Sequence, residues 1–385
     1  MSSILDNDLY KFTMQQAVLE LYPDAQAGYE LIQRRPTERC TPAFLGHFLQ
    51  SLEAMSALEL RDDEFAWLSA QCPYLKPAYL EYLQNYRFDP SEVTAGVDQQ
   101  GKLSIAVCGP WHRTILWEVP LLALVSELDG LLLDANWSSR GQREKIREKG
   151  RLLGEAGVVF ADFGTRRRRS YAVQDLIVQE LISNPGFLGT SNVHLAHKHG
   201  TRPIGTMAHE WIMAHSVLAG LRHANRFALD AWARIYRGEL GIALTDTYGT
   251  PAFFEDFDGR LARLYDGVRQ DSGDPQAFAD RTIEHYRKLG IDPMAKTIVF
   301  SDGVTPPLAV ELARHCRGRI GASFGIGTNL TNDFEGSPPL DIVIKLVALN
   351  GSPVVKLTDD PGKATGTAEA LRVARWTFCG KTLDG

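Results

Sequence analysis

From residue 157 to about 330 the chain repeats one pattern. A short apolar run ends in glycine, a small polar residue or an acid, and a spacer of helix length follows. The runs are "GVVFADFGTR", "GFLGTSN", "RPIGTMAHE", "LGIALTDTYGT", "GVRQDSGDP", "TIVFSDG" and "IGASFGIGTN", with polar ends near 162, 189, 206, 246, 271, 302 and 325. Spacings of 17 to 40 residues between those ends suit strand–helix–strand crossovers, which need about a dozen residues or more. Only the architecture recurs, so this is not a sequence repeat. Seven such units predict a parallel sheet, either closed as a barrel or doubly wound and open. Polar residues end every run rather than those at one switch point, which favours an irregular (β/α) barrel of about seven strands. In that fold the ends converge, and Asp162, Arg166, Ser191, Thr206, His209, Asp246, Arg269, Asp271, Asp302 and Thr328 line one mouth.

The flanks read differently. "LYKFTMQQAVLELY" and "EFAWLSAQCPYLKPAYLEYLQNY" have helical spacing, "KLSIAVCGPW" suggests a strand, and "TILWEVPLLALVSEL" suggests a strand passing into a helix. "NWSSRGQREKIREKGRLLGE" is charged enough for a solvated helix or crossing segment. Near the C-terminus two apolar runs flank Asn350-Gly351, a hairpin signal. The expected organisation is a barrel over 131–340 and a smaller α+β domain from 1–130 with 341–385. No pattern is legible after about residue 364.

Composition narrows the class. The chain has 385 residues, 44% hydrophobic and 23% charged, with a net charge of −6. That excludes a general polyanion binder, so no nucleic-acid partner is expected. The five cysteines are scattered, odd in number and form no C-x-x-C, as in a reducing compartment. "MSSILDNDLYKF" has charges where a leader would be apolar, and no run approaches the ~20 apolar residues of a membrane span. A cytoplasmic protein without membrane contact is expected.

The stretch "PIGTMAHEWIMAH" carries the sharpest chemistry. Zinc binding by H-E-x-x-H needs histidines four apart, but position 213 is methionine, and His209 and His215 stand about 240° apart on a helix. With Thr206 as N-cap, His209 falls in the first helical turn, where the helix end disfavours imidazolium and accepts anions. "DFGTRRRRS" puts four arginines after a strand without the other protein-kinase signatures. Successive side chains diverge, and Arg166 is the one expected to face the site. In "GVRQDSGDP", Arg269 and Asp271 share a strand face, one to hold an anion, the other to accept hydroxyls or order a Mg2+ hydration shell. Gly303, Gly325, Gly327 and Thr328 form turns able to cradle a phosphate. Together these describe a site for a phosphorylated, hydroxyl-bearing, Mg2+-linked sugar.

At these residues the chain resembles the nicotinate phosphoribosyltransferase family. The signatures are "DNDLYKFTMQQA", "DFGTRRR", "FLGTSN", "GTMAHEW", "LTDTYGT", "VRQDSGDP", "VFSDG", "FGIGTNL" and "KLTDDPGK", in that order. The resemblance implies a type II phosphoribosyltransferase fold, an irregular α/β barrel plus a smaller domain built from both chain ends. It implies ATP-coupled joining of nicotinate to 5-phosphoribosyl 1-diphosphate in NAD salvage, with Mg2+ as cofactor and a homodimer whose active site lies at the subunit interface. By motif, His209 is the histidine that ATP phosphorylates. Tyr10 (from a neighbouring subunit), Thr206 and Arg269 contact nicotinate. Thr328, Gly303 and Gly327 seat the 5′-phosphate, with Gly325 and Asp302 alongside, while Arg166 lies near substrate and Asp271 near the ribose. Nicotinamide phosphoribosyltransferase shares the fold, but its related "GTD" has aspartate where this chain has Ser191, a neutral donor suited to a carboxylate. Quinolinate phosphoribosyltransferase lacks the histidine motif. A non-catalytic, nucleotide-binding metabolite sensor is the alternative of another class. Arg169 stands where the family often has an aromatic residue.

Overall fold

The structure is a computed structural model that describes residues 1, 3–34, 39–134 and 137–379. Two compact units divide the chain, one of residues 1–205 with 326–345, the other of 206–325 with 346–385. In chain order the strands are β1 (Gln26–Gln33), β2 (Val93–Val97), β3 (Leu103–Pro110), β4 (Phe160–Asp162), β5 (Phe187–Thr190), β6 (Arg202–Pro203), β7 (Arg237–Leu240), β8 (Ile242–Leu244), β9 (Gly267–Gln270), β10 (Thr297–Phe300), β11 (Gly321–Ile326), β12 (Ile342–Leu349) and β13 (Ser352–Pro353). They form a seven-stranded parallel sheet in the order β6-β5-β4-β11-β10-β9-β8 and an antiparallel sheet in the order β13-β12-β1-β3-β2. The expected α/β class, with a strand at each of the seven polar-ended runs, is what the chain adopts. β6, which keeps only two residues, and β8 stand at the ends of the parallel order.

The connecting helices start where the sequence supplies an acceptor. Ser170, Asn192, Asp274 and Thr305 each accept a backbone N–H from three residues ahead, at 3.2, 2.9, 2.8 and 3.2 Å. The helix Pro275–Lys288 buries Phe278, Ala279, Thr282, Ile283 and Tyr286, a single stripe at helical spacing, and keeps its charges outward. β9 and β10 lie in register, Arg269 opposite Val299. Their side chains alternate, so Arg269 and Asp271 leave the sheet on one side.

The flanks depart from expectation in two places. "TILWEVPLLALVSEL" holds no strand: residues 111–133 are continuously helical, with Ile115, Leu116, Trp117, Val119, Leu121 and Leu122 all 0% exposed. A helix apolar all round can exist only when fully packed, and its run of apolar residues imitates a strand. The stretch after 364 is also ordered in part, as the helix Ala368–Cys379. The charged segment is a helix, Gln142–Glu155, whose buried stripe is only Ile146, Gly150 and Leu153. The Asn350-Gly351 hairpin is present, with φ of 50° and 75° between β12 and β13, the left-handed pair that a two-residue turn needs.

Candidate active site

In the unit of 206–325 and 346–385, the loops after β8, β9 and β10 converge on the first turn of the helix His209–Leu218. Thr206 does not cap that helix. Ala208 is the N-cap and makes no side-chain bond, and His209 is the first helical residue. The Thr206 hydroxyl instead donates to the Met207 carbonyl (3.1 Å) and accepts from Arg269 Nη1 (3.0 Å).

His209 is 5% exposed. Its Nδ1 pairs with Thr247 Oγ1 at 3.0 Å, and its Nε2 lies 2.9 Å from Asp271 Oδ2, 2.9 Å from Lys356 Nζ and 3.7 Å from Asp246 Oδ1. Burial, and after it the Lys356 ammonium, hold the imidazole down to about 4, so it is neutral near pH 7. The expected uncharged ring is therefore present, and desolvation and a neighbouring cation are its principal causes. Asp271 would be raised by burial, yet Arg269, His209 and Lys356 keep it ionised, well below the usual carboxylate range. Its Oδ1 accepts from Arg269 Nη2 (3.1 Å) and Ser301 Oγ (2.7 Å). Arg269 is further fixed by Ser301 Oγ at 2.8 Å and the Met207 carbonyl at 3.3 Å. Asp246, 0% exposed, accepts from Ser272 Oγ (2.7 Å), lies 3.2 Å from Thr358 Oγ1 and faces Lys356 Nζ at 3.4 Å.

Two carboxylates, a lysine, an arginine and a neutral ring thus balance in formal charge. Donor atoms of His209, Asp246 and Asp271 come within 4.8 Å of one another, the spacing of a metal cluster. The Lys356 ammonium already supplies the cation these carboxylates need, so the trio does not fit a resident metal ion. Asp302 is paired with Lys363. Gly303 has φ of 57° at an open turn, and Gly325 is buried in β11.

In the unit of 1–205 and 326–345, Ser191 follows β5, and its hydroxyl donates to Asp8 Oδ1 at 2.7 Å. Asp8 is buried and its carboxyl raised by that burial, against the opposing pull of Ser191 and Arg166. The hydroxyl expected to meet a substrate carboxylate is thus occupied here by a carboxyl of the chain itself. Asp162, at the end of β4, accepts from Thr190 Oγ1 (2.7 Å), Gln174 Nε2 (2.8 Å) and the Gly164 N–H (2.8 Å), a knot that shapes the loops. Tyr10 is the second residue of the helix Leu9–Leu21, its ring 5.6 Å from Lys11 Nζ. Gly327 precedes the single helical turn Thr328–Thr331.

Of the four arginines, Arg166 and Arg167 keep 35% of their side-chain surface, with Glu118 (3.4 Å) and Asp341 (3.7 Å) as ionic neighbours. Arg168 and Arg169 are buried. Arg169 bonds Asn332 Oδ1, Ser337 Oγ and the Ser337 carbonyl, and lies over the rings of Trp137 and Phe334 at 5.4 and 5.1 Å. Aromatic side chains therefore surround the position where the family often has one. In "HLAHKH" the histidines are tied down: His194 to Tyr171 (3.1 Å), His199 to Asp175 (2.8 Å), His197 against Trp67.

Sequence reasoning missed Lys356, Thr247 and Ser301. The "KLTDDPGK" signature contains the lysine, but nothing in a linear sequence shows that it reaches a histidine 147 residues away.

The architecture defines a parallel α/β protein with an ionic site at the carboxyl ends of its strands, and comparison with known proteins gives the family. The model of the nicotinate phosphoribosyltransferase (NAPRTase) family matches residues 158–382, and that of its N-terminal domain matches 5–126. A nicotinate phosphoribosyltransferase of Methanosarcina mazei is 50% identical over 99% of both chains, and one of Pseudomonas aeruginosa is 45% identical over 94% of this chain and 92% of its own. The crystal structure of the enzyme from Porphyromonas gingivalis superposes with a TM-score of 0.95 at 43% identity, covering 98% of this chain and 100% of that one. The chain belongs to the nicotinate phosphoribosyltransferase family, and with the family comes that activity, a step of NAD salvage. Among the described residues no helix is long and apolar enough to cross a membrane.

Proposed function

We propose that the chain joins nicotinate to 5-phosphoribosyl 1-diphosphate with ATP hydrolysis coupled, and that His209 is the phosphate acceptor. One observation carries this reading. His209 is a buried imidazole held neutral between a hydroxyl and an ionised aspartate, at the first turn of a helix. A lone pair on the ring can attack the terminal phosphorus of ATP. An N–P bond forms, the bridging P–O bond breaks, and its electron pair leaves with ADP. The positive charge gained by the ring is met by Asp271.

In the synthetic step the pyridine nitrogen attacks C1 of the ribose while diphosphate departs with the Mg2+ it brought. Carboxylates near the ribose stabilise the oxocarbenium-like charge, and Arg269 and Arg166 favour the anionic partners. On family analogy Thr206, Arg269 and Tyr10 hold nicotinate, with Tyr10 donated by the second subunit of a homodimer. Thr328, Gly303, Gly325, Gly327 and Asp302 serve the phosphoribosyl group. Water then cleaves the N–P bond to release phosphate and return His209. Ser191 selects the acid over the amide once its hydroxyl turns from Asp8 to the substrate.

Pyrophosphate release is the test, run with nicotinate or nicotinamide, with and without ATP. The expected result is product from nicotinate, little from nicotinamide, and stimulation by ATP. His209→Asn removes both the stimulation and the acid-labile phosphoenzyme. Undiminished ATP coupling in that variant defeats the assignment, and no product from nicotinate under any condition favours the sensor.

A further inference from the structure

Lys356 is 3% exposed, and no step of the reaction above uses it. Its Nζ lies 2.9 Å from His209 Nε2 and 3.4 Å from Asp246 Oδ2. The segment that carries it is anchored on both sides. Lys356 N–H donates to the Thr365 carbonyl (2.8 Å), Leu357 N–H to the Thr247 carbonyl (2.8 Å), and Thr358 Oγ1 to Ser272 Oγ (2.7 Å). Asp359 Oδ1 accepts the Thr250 N–H at 2.8 Å. The backbone at Lys356 is therefore fixed, and burial with His209 and Asp246 holds the ammonium at the end of its side chain.

The charged groups that face the ring are Asp246 from the loop after β8, Asp271 after β9 with Arg269 behind it, and Lys356. Two ionised carboxylates within 3.7 Å of one ring nitrogen stabilise imidazolium, which has no lone pair to give phosphorus. Arg269 offsets Asp271 but makes no contact with the ring. Among the described residues, only Lys356 sets a positive charge directly against Nε2 while also engaging Asp246. We propose that Lys356 is a positioning residue that keeps His209 an uncharged phosphate acceptor by opposing the pull of Asp246 and Asp271 on its proton. The consequence for phosphorylation rests on the reading of His209 above; the effect on the ring's protonation does not.

The test is a nitrogen-15 titration of the full chain with selectively labelled histidine. Wild-type His209 stays neutral to about pH 5. In Lys356→Gln it takes a proton at a pH higher by roughly one to two units, the size expected of one close charge. ATP-dependent phosphoenzyme formation in that variant gains an acid limb at the same pH. Lys356→Arg, which keeps the cation, leaves the ring neutral. His215, buried and bonded through Nδ1 to the Trp211 carbonyl (2.7 Å), supplies a resonance that reports the fold. An unmoved His209 titration in Lys356→Gln, with His215 intact, overturns the proposal. So does a Lys356→Arg protein that titrates like the glutamine variant. If Lys356→Gln does not fold, Lys356→Met, which keeps the side chain's length and apolar stem without its charge, decides by the same titration: an unmoved His209 midpoint there overturns the proposal. Absence of phosphoenzyme in the wild type removes the phosphohistidine reading while the titration still judges Lys356.

Discussion

Arg168 is 1% exposed and holds Asp6 through two parallel N–H···O bonds of 2.7 and 2.8 Å, with Glu127 and Gln174 completing its fork. A buried charge so enclosed costs little while its partner remains and a great deal once the partner goes. Arg168→Ala leaves Asp6 desolvated and unpaired, and the expected loss is about 3–5 kcal/mol. Arg168→Lys recovers little of it, because an ammonium cannot span both carboxylate oxygens. Arg151→Ala breaks an exposed pair with Glu155 and changes stability by less than about 0.5 kcal/mol. Urea unfolding of the three variants checks the order, and a mild Arg168→Ala refutes it. The sequence shows four consecutive arginines after a strand and no more. That two of them are framework follows from partners such as Asp6 and Ser337, 162 and 168 residues away, which no local pattern reveals.

At the scale of elements, what was legible is what repeats. Each of the seven parallel strands announces itself by an apolar run with a polar end, since both faces are buried and the loop beyond must turn. The runs that misled were those whose surroundings, not their composition, decide the element. The helix Glu118–Leu128 is apolar nearly all round because packing encloses it, and Ala368–Cys379 is hard to read because its apolar Val373 and Trp376 stay largely exposed. The first turn at His209 failed as a capping prediction for a third reason. Thr206 is spent on Arg269, so a residue competent to cap is recruited by the site instead. Elements also set how closely strands approach. A Cβ on Gly267 would stand 1.9 Å from the Thr297 carbonyl oxygen, a backbone atom that cannot move aside alone. Gly267→Ala therefore forces β9 from β10, and with it Arg269 and Asp271 from Ser301. Expected are a loss of several kcal/mol, like other overpacking at a backbone contact, and a fall in kcat at 20 °C even where the protein still folds. Wild-type activity and thermal midpoint in that variant would show that the sheet has slack.

Taken as one molecule, the chain made its site only half readable. Thr206, His209, Asp246, Arg269 and Asp271, at or just beyond strand ends, were legible as candidates because strand ends are where runs stop. Lys356 was not, since it arrives from a segment whose sequence says hairpin and turn and gives no hint of a buried ammonium. Buried titratable groups of this kind also set how the molecule answers to acid. Burial holds His215 down to about 4, and burial with Lys356 does the same to His209. An unfolded histidine binds its proton near 6.5, so between about pH 6.5 and 4 the unfolded chain carries more protons than the folded one, and stability falls as pH falls. Asp162, pushed up to about 6 mainly by burial, acts in the opposite sense over the same window, because the folded state takes its proton first. Glu118, brought down to about 2 against its own burial by Lys11 and Arg166, contributes stability that is lost as pH falls from about 4.5 toward 2. The whole-chain curve thus blends opposing slopes, and one substitution isolates one slope. His215→Gln sits outside the ionic site, and in it the decline of the thermal midpoint from pH 6.5 to 5 should be shallower than in the wild type. The difference corresponds to about 2 kcal/mol at most, one and a half pH units of a single buried histidine. Parallel curves for the two proteins would mean that His215 accepts its proton without unfolding.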